Sequence, residues 1–179
     1  GDYRFDRGPT FFLMPYVLEE IFNAAGKKLS DYATLQRLDP MYRLLVGKPD
    51  ATDDARGADA AWQIDATQDI HEMARRIATI SKPDADAFPR FIADNRAKLT
   101  AAEPILRRPI KSVLDLVSLD GVRAGMHIKP HLSVHALLAK YFSHPAVRLA
   151  VSFQSKYLGM SPYDCPSLFT ILPFIEYEW

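Results

Sequence analysis

The sequence predicts an α+β fold, a small mixed β-sheet with a larger helical region packed over it. Short runs of near-alternating or continuous apolar residues, LQRLD (35–39), MYRLLV (41–46) and AWQIDAT (61–67), read as strands of that sheet. Past Thr67 the apolar spacing changes to the 3.6-residue period of amphipathic helices. In a chain of 179 residues that is 48% hydrophobic and 25% charged, this pattern means one folded domain with a core and excludes a disordered chain.

The elements follow in order. Tyr3 to Thr10 combine a strand-like stretch with a Gly-Pro-Thr turn, and residues 1–14 form a leading strand and loop. A helix starts at Pro15, which suits a first turn, carries Val17, Leu18, Ile21 and Phe22 at helical spacing, and stops at Gly26. Strands occupy about 35–66, interrupted by GKPDATDDARGADA (47–60), a polar loop whose charges are solvated. Thr67 or Asp69 caps the next helix, through Ile70, Met73, Ala74, Ile77 and Ile80. Pro83 opens another, with Phe88, Phe91, Ile92 and Leu99 on one side. From Pro109 to Trp179 the chain is more apolar, and the breaks at Gly121, Gly125, Pro130, Pro145, Gly159 and Pro162 divide it into several short helices. The helical region as a whole spans about 68–179.

Twenty-two basic residues balance twenty-two acidic ones, so no global field recruits nucleic acid or anionic lipid. A single cysteine, Cys165, cannot form an internal disulfide and fits a reducing compartment, so the expected location is cytoplasmic. The apolar run Cys165 to Ile175 is about half of what a spanning helix needs.

The sequence holds no GxGxxG, GxxxxGK[ST], GxSxG or HExxH motif and no EF-hand loop. His127, His131 and His135 recur at a four-residue spacing that one helix would stack as metal ligands, but Pro130 begins a new helix between them and no carboxylate matches. No metal site is expected. Asp115, flanked by apolar residues in SVLDLV, is a candidate proton-handling acid or base, and equally a helix cap or an exposed position. Cys165, in DCPS, reads as a small core residue. The aromatics Tyr141, Phe142, Phe153, Tyr157, Tyr163 and Phe169 are core, or line a tunnel if the ligand is long and apolar.

Two blocks carry a resemblance. FDRGPTFFLMPYVLEEIFNAAGKKLSDYATLQRLDPMYRLL (5–45) resembles the stretch after the first βαβ unit of bacterial phytoene desaturases, the FAD-dependent carotenoid desaturases among the amine-oxidase-like flavoproteins. FQSKYLGMSPYDCPSLFTILPFIEYEW (153–179) is similar to a helical region of the same family. Residues 47–150 fit it in general character only.

The resemblance implies that residues 1–14 face a flavin, with Asp6, Gly8, Pro9 and Thr10 at the cofactor and Arg7 where the family often has a small residue. It implies that 15–179 is the substrate domain, with Phe153, Tyr157 and Phe169 lining the path of an apolar isoprenoid. The glycine-rich dinucleotide-binding βαβ unit and a second flavin segment are missing from these 179 residues, so the chain reads as an internal, incomplete piece of an FAD-linked oxidoreductase fold. Its partners would be those missing segments and, peripherally, a membrane in which the substrate dissolves. The implied reaction is dehydrogenation of a long polyene. A related saturase, isomerase or oxidase, or a non-catalytic helical lipid- or partner-binding module, remains open beside it.

Overall fold

A computed structural model describes residues 2–3, 12–46, 62–107, 109 and 131–178. Two strands, β1 (Tyr42–Val46) and β2 (Trp62–Ala66), pair antiparallel with Leu44 opposite Ile64 and Arg43 opposite Asp65. The period-2 alternation sends Ile64 and Ala66 into the core while Arg43 and Asp65 meet on the other face in a two-bonded pair of 2.6 and 2.8 Å.

Among the described residues the expected sheet is present as two strands, paired antiparallel. Residues 35–39 are not a strand. Leu35 and Leu38 are three apart, so no period-2 face forms; both are exposed, and Pro40 has no N–H to give a ladder. Pairing begins only with Met41 N–H to Ala66 O, 2.8 Å. Tyr3 is exposed and outside any strand, and the rest of the expected leading strand, through Thr10, lies outside the described residues.

Helix α1 (Pro15–Ala24) has its proline in the first turn. It ends where Gly26 takes a φ of 69° and Lys27 N–H reaches back to Phe22 O at 2.9 Å. No residue of α1 is buried. Helix α2 (Ile70–Ala78) starts at Asp69, whose carboxylate accepts from the backbone N–H of His71 and of Glu72, each at 2.9 Å. Those bonds, the Glu72 one foremost, hold the Asp69 carboxyl below the usual carboxylate range. The cap's contribution is therefore complete above the unfolded carboxylate pKa and disappears as pH falls through the lower, folded one. Amide exchange at His71 and Glu72 is expected to speed up in that acidic window in the wild type, and at neutral pH in Asp69→Ala. Unchanged exchange in the variant would remove the cap from the account of α2.

Helix α3 (Lys82–Leu106) runs through Pro89 and Pro104. An interior proline costs about 3 kcal/mol, and here the burial of Phe88, Phe91 and Ile92 around Pro89 opposes that cost. Among the described residues beyond α3 are the short helices α4 (Val134–Leu138), α5 (Pro145–Ala150) and α6 (Ile171–Glu178), with 3-10 turns at Phe153–Leu158 and Ser167–Thr170. The helix after Pro130 begins at Val134, where Ser133 Oγ accepts from Ala136 N–H at 3.1 Å, so a serine cap and not the proline sets its start.

The core joins β2, α2, α3, α4, α5 and α6, with Phe88 edge-on to Tyr177 at 5.3 Å and Phe91 edge-on to Phe142 at 5.4 Å. Cys165 is part of it, as expected. Asp84, 1% exposed in the first turn of α3, accepts from Ser143 N–H (2.8 Å), Ser143 Oγ–H (2.9 Å) and His144 N–H (2.8 Å), which ties α3 to the start of α5. Among the described residues no helix is long and apolar enough to cross a membrane.

Candidate functional site

Tyr42 on the core face of β1, Gln154 and Tyr157 on the 3-10 turn, and Glu176 with Tyr177 on α6 converge on one point. Glu176 is 3% exposed. Its Oε2 accepts from Gln154 Nε2–H at 2.7 Å and from Tyr42 O–H at 3.1 Å, and its Oε1 accepts from Tyr157 O–H at 2.7 Å. No lysine or arginine among the described residues forms an ion pair with it. A carboxylate buried without a cation is costly unless donors replace its water. Here neutral donors fill that role.

The donors are fixed in that role. Burial, then the neighbouring Tyr177 and Glu176, push the Tyr42 phenol far above its ordinary range. Burial followed by the Glu176 hydrogen bond does the same for Tyr157, and burial dominates for Tyr177. Gln154 must present its NH2 to the carboxylate, and that NH2 also reaches Tyr42 Oη at 3.2 Å.

Glu176 also lines a cleft of about 380 Å³ between the segment leading into α1 and residues 35–41. The wall is mostly apolar: Phe12, Leu13, Leu35, Leu38 and Met41, with Gln68 donating to Glu176 O at 3.2 Å. A second cleft of about 510 Å³ lies between α1, α3 and α6, with Met14, Val17, Leu99 and Phe174 at its apolar surface. Its rim charges are satisfied by one another, Arg107 with Glu20 and Glu103, and Arg96 with Glu178.

Of the residues singled out in the sequence, two enter this geometry. Tyr157 holds the carboxylate, and Phe153 stands edge-on to Tyr42 at 5.3 Å with Lys156 Nζ 4.5 Å above its ring. Phe169 is separate and packs on the hydrophobic core. Asp6, Gly8, Pro9, Thr10 and Asp115 lie outside the described residues, as does His127. His135 stacks on Tyr163 at 4.3 Å, and among the described residues no three His, Cys, Asp or Glu side chains are grouped to hold a metal. Glu176 was not legible beforehand; IEYEW gives no sign that its first acid is buried.

No family model matches the chain. Curated relatives do. A 4,4'-diapophytoene desaturase (4,4'-diapolycopene-forming) of a Methylomonas species is 36% identical over 99% of this chain and 32% of its own length. A zeta-carotene-forming phytoene desaturase of Myxococcus xanthus is 30% identical over 97% of this chain and 32% of its own. A phytoene desaturase of Phycomyces blakesleeanus is 30% identical over 98% and 28%. All three relatives are named as desaturases of phytoene or 4,4'-diapophytoene, and the chain is similar to them over nearly all of its residues. It spans about a third of the length of the curated relatives it matches.

Proposed function

We propose that this chain is part of an FAD-dependent desaturase that introduces double bonds into a long isoprenoid such as phytoene, in carotenoid biosynthesis. The observation that carries the reading is the near end-to-end match to relatives named for that activity. Residues 1–14 face the cofactor through Asp6, Gly8, Pro9 and Thr10, and 15–179 belong to the substrate domain. A hydrocarbon has no polar handle, so binding rests on apolar burial, worth roughly 25 cal/mol per Å². The two clefts, with Phe12, Leu35, Met41, Val17 and Leu99 among their walls, suit such a ligand; Phe153, Tyr157 and Phe169 line neither cleft and are expected to line its path elsewhere. Delivery from a membrane surface, without a spanning helix, fits a substrate that dissolves in lipid.

Bound FAD would supply the hydride acceptor. The described residues do not themselves fit its pyrophosphate: Gly26 and Gly159, the glycines with left-handed φ, follow the C-terminal ends of α1 and of the 3-10 turn at Phe153–Leu158, and neither opens a helix whose N-terminus could hold it. In this reading the cofactor-facing residues of the chain are Asp6, Gly8, Pro9 and Thr10.

Two measurements test the reading. The full-length protein containing this chain, loaded with FAD and given phytoene in liposomes, is expected to yield products lighter by two hydrogens per step with absorption moving to longer wavelength. Products that gain oxygen or hydrogen, or no product, would overturn it. The 179-residue chain alone is expected to lose FAD on gel filtration. A few hydrogen bonds at about 0.5–1.5 kcal/mol each do not offset an association cost of about 4 kcal/mol or more. A flavin absorption band that travels with the chain would show the grip to be misplaced.

A further inference from the structure

The chain is neutral as a whole, so any attraction to a charged surface has to be local. One stretch supplies it. From His131 to Tyr163 there is no aspartate or glutamate, in a chain that has twenty-two of them, while Lys140, Arg148 and Lys156 recur along it. Among the described residues none of these three enters an ion pair, so their charge is not cancelled at short range. Asp164, exposed, closes the run.

The same stretch departs from the burial pattern. Among the described side chains from 62 to 148 no large hydrophobic is exposed; beyond them Leu149, Tyr157, Leu158, Met160 and Tyr163 are, at 37–65%. Contacts join the later part of this stretch into one surface. Gly159 turns the chain with a φ of 65°, and Met160 N–H then donates to Ser155 O at 3.3 Å, which folds Met160 back beside the 3-10 turn at Phe153–Leu158. Lys156 Nζ stands 4.5 Å from the centre of the Phe153 ring and 5.6 Å from that of Tyr157. Tyr163 stacks on His135 at 4.3 Å, and His135 N–H donates to Pro162 O at 2.9 Å.

Large apolar side chains grouped on the outside of a protein mark a contact, and two features choose its kind. Lysine is depleted from the centre of protein–protein interfaces. Tyrosine beside leucine and methionine, with a lysine whose apolar stem lies along the rings and whose charge stays at the edge, is instead the composition of a bilayer interface. The absence of acids removes the groups that an anionic headgroup layer would repel. We propose that residues 149–163 are the membrane-contact surface of this chain, with Leu158 and Met160 entering the boundary between headgroups and acyl chains, Tyr163 at headgroup level and Lys156 on anionic lipid phosphate. This rests on the membrane-delivery reading above and names the surface it uses. Tyr157, whose hydroxyl donates to Glu176 at 2.7 Å, ties that surface to the buried network.

The test is co-sedimentation of the full-length protein with vesicles of phosphatidylcholine alone and of equimolar phosphatidylcholine and phosphatidylglycerol. Wild type should bind the anionic vesicles more tightly, and added salt should narrow the difference. Lys156→Gln should weaken binding to anionic vesicles about fivefold and leave binding to neutral ones unchanged. Leu158→Ser combined with Met160→Ser should weaken binding to both about tenfold or more, while Leu45→Ser, at an exposed apolar position on β1 outside the patch, should bind as wild type does. Thermal midpoints should match throughout, since every substituted side chain is exposed. Unchanged binding in both patch variants overturns the assignment and leaves membrane delivery standing. An equal loss in Leu45→Ser overturns it as well, because adsorption would then be general. If the double variant unfolds, Lys156→Gln decides, and wild-type affinity of that variant for anionic vesicles overturns the proposal. A wild type that binds neither vesicle brings down membrane delivery itself, and this surface with it.

Discussion

Replacing Phe88 with alanine is expected to destabilise the protein by about 3–5 kcal/mol, a large part of the roughly 5–15 kcal/mol that holds a domain folded. The ring is fully buried, edge-on to Tyr177 at 5.3 Å and 6.4 Å from Phe91, so truncation opens a cavity where α3 meets α6. It also withdraws the packing that opposes the cost of Pro89 beside it. The damage should reach the candidate site, because Tyr177 and Glu176 are consecutive on α6. Denaturant unfolding of the full-length protein reads the effect, with Leu45→Ala as comparator. Leu45 is 72% exposed on β1, and its truncation should stay within about 0.5 kcal/mol. Equal midpoints for the two variants would mean that the α3–α6 contact is not where the stability lies.

What was legible in the sequence was local. Asp69 is read as a cap because the groups it satisfies are two and three residues away. Pro15 and Gly26 bracket α1 by backbone geometry alone. The strand over 42–46 and the helices over 70–106 follow from periodicity, which a single chain displays without help from its fold. At 35–39 apolar content alone suggests a strand, but Leu35 and Leu38 are three apart and share no face of one. The candidate site was illegible for the opposite reason. Glu176 meets Tyr42 across 134 residues, Gln154 across 22 and Tyr157 across 19, and no spacing rule connects a carboxylate to donors that only the tertiary fold brings together. Tyr157 and Phe153 belong to an aromatic run. That run pointed to an apolar lining, and nothing in it revealed that the Tyr157 hydroxyl serves an acid.

Asp84 is a second such case, and its removal should be nearly as costly as that of Phe88. In sequence it is an ordinary first-turn acid after Pro83. In the fold it is buried and accepts from two backbone N–H groups and a hydroxyl at 143–144. Asp84→Ala leaves those donors without their acceptor, at about 1–3 kcal/mol for each buried group left unsatisfied. Asp84→Asn should be milder: one oxygen can still accept from Ser143, but the NH2 then faces the His144 N–H, donor against donor. The consequence is functional as well as structural. Residues 143–144 launch α5, and the 3-10 turn holding Gln154 and Tyr157 begins three residues after α5 ends. Loosening the clasp should therefore let the Glu176 network drift. The expected order of stability is wild type, then asparagine, then alanine, with amide exchange at Ser143 and His144 accelerating in the same order. The desaturase activity proposed above for the full-length protein should fall along with it. Slow exchange at 143–144 in Asp84→Ala would show that α5 is anchored by its packing alone, through Val147 and Ala150, and that the buried carboxylate contributes little.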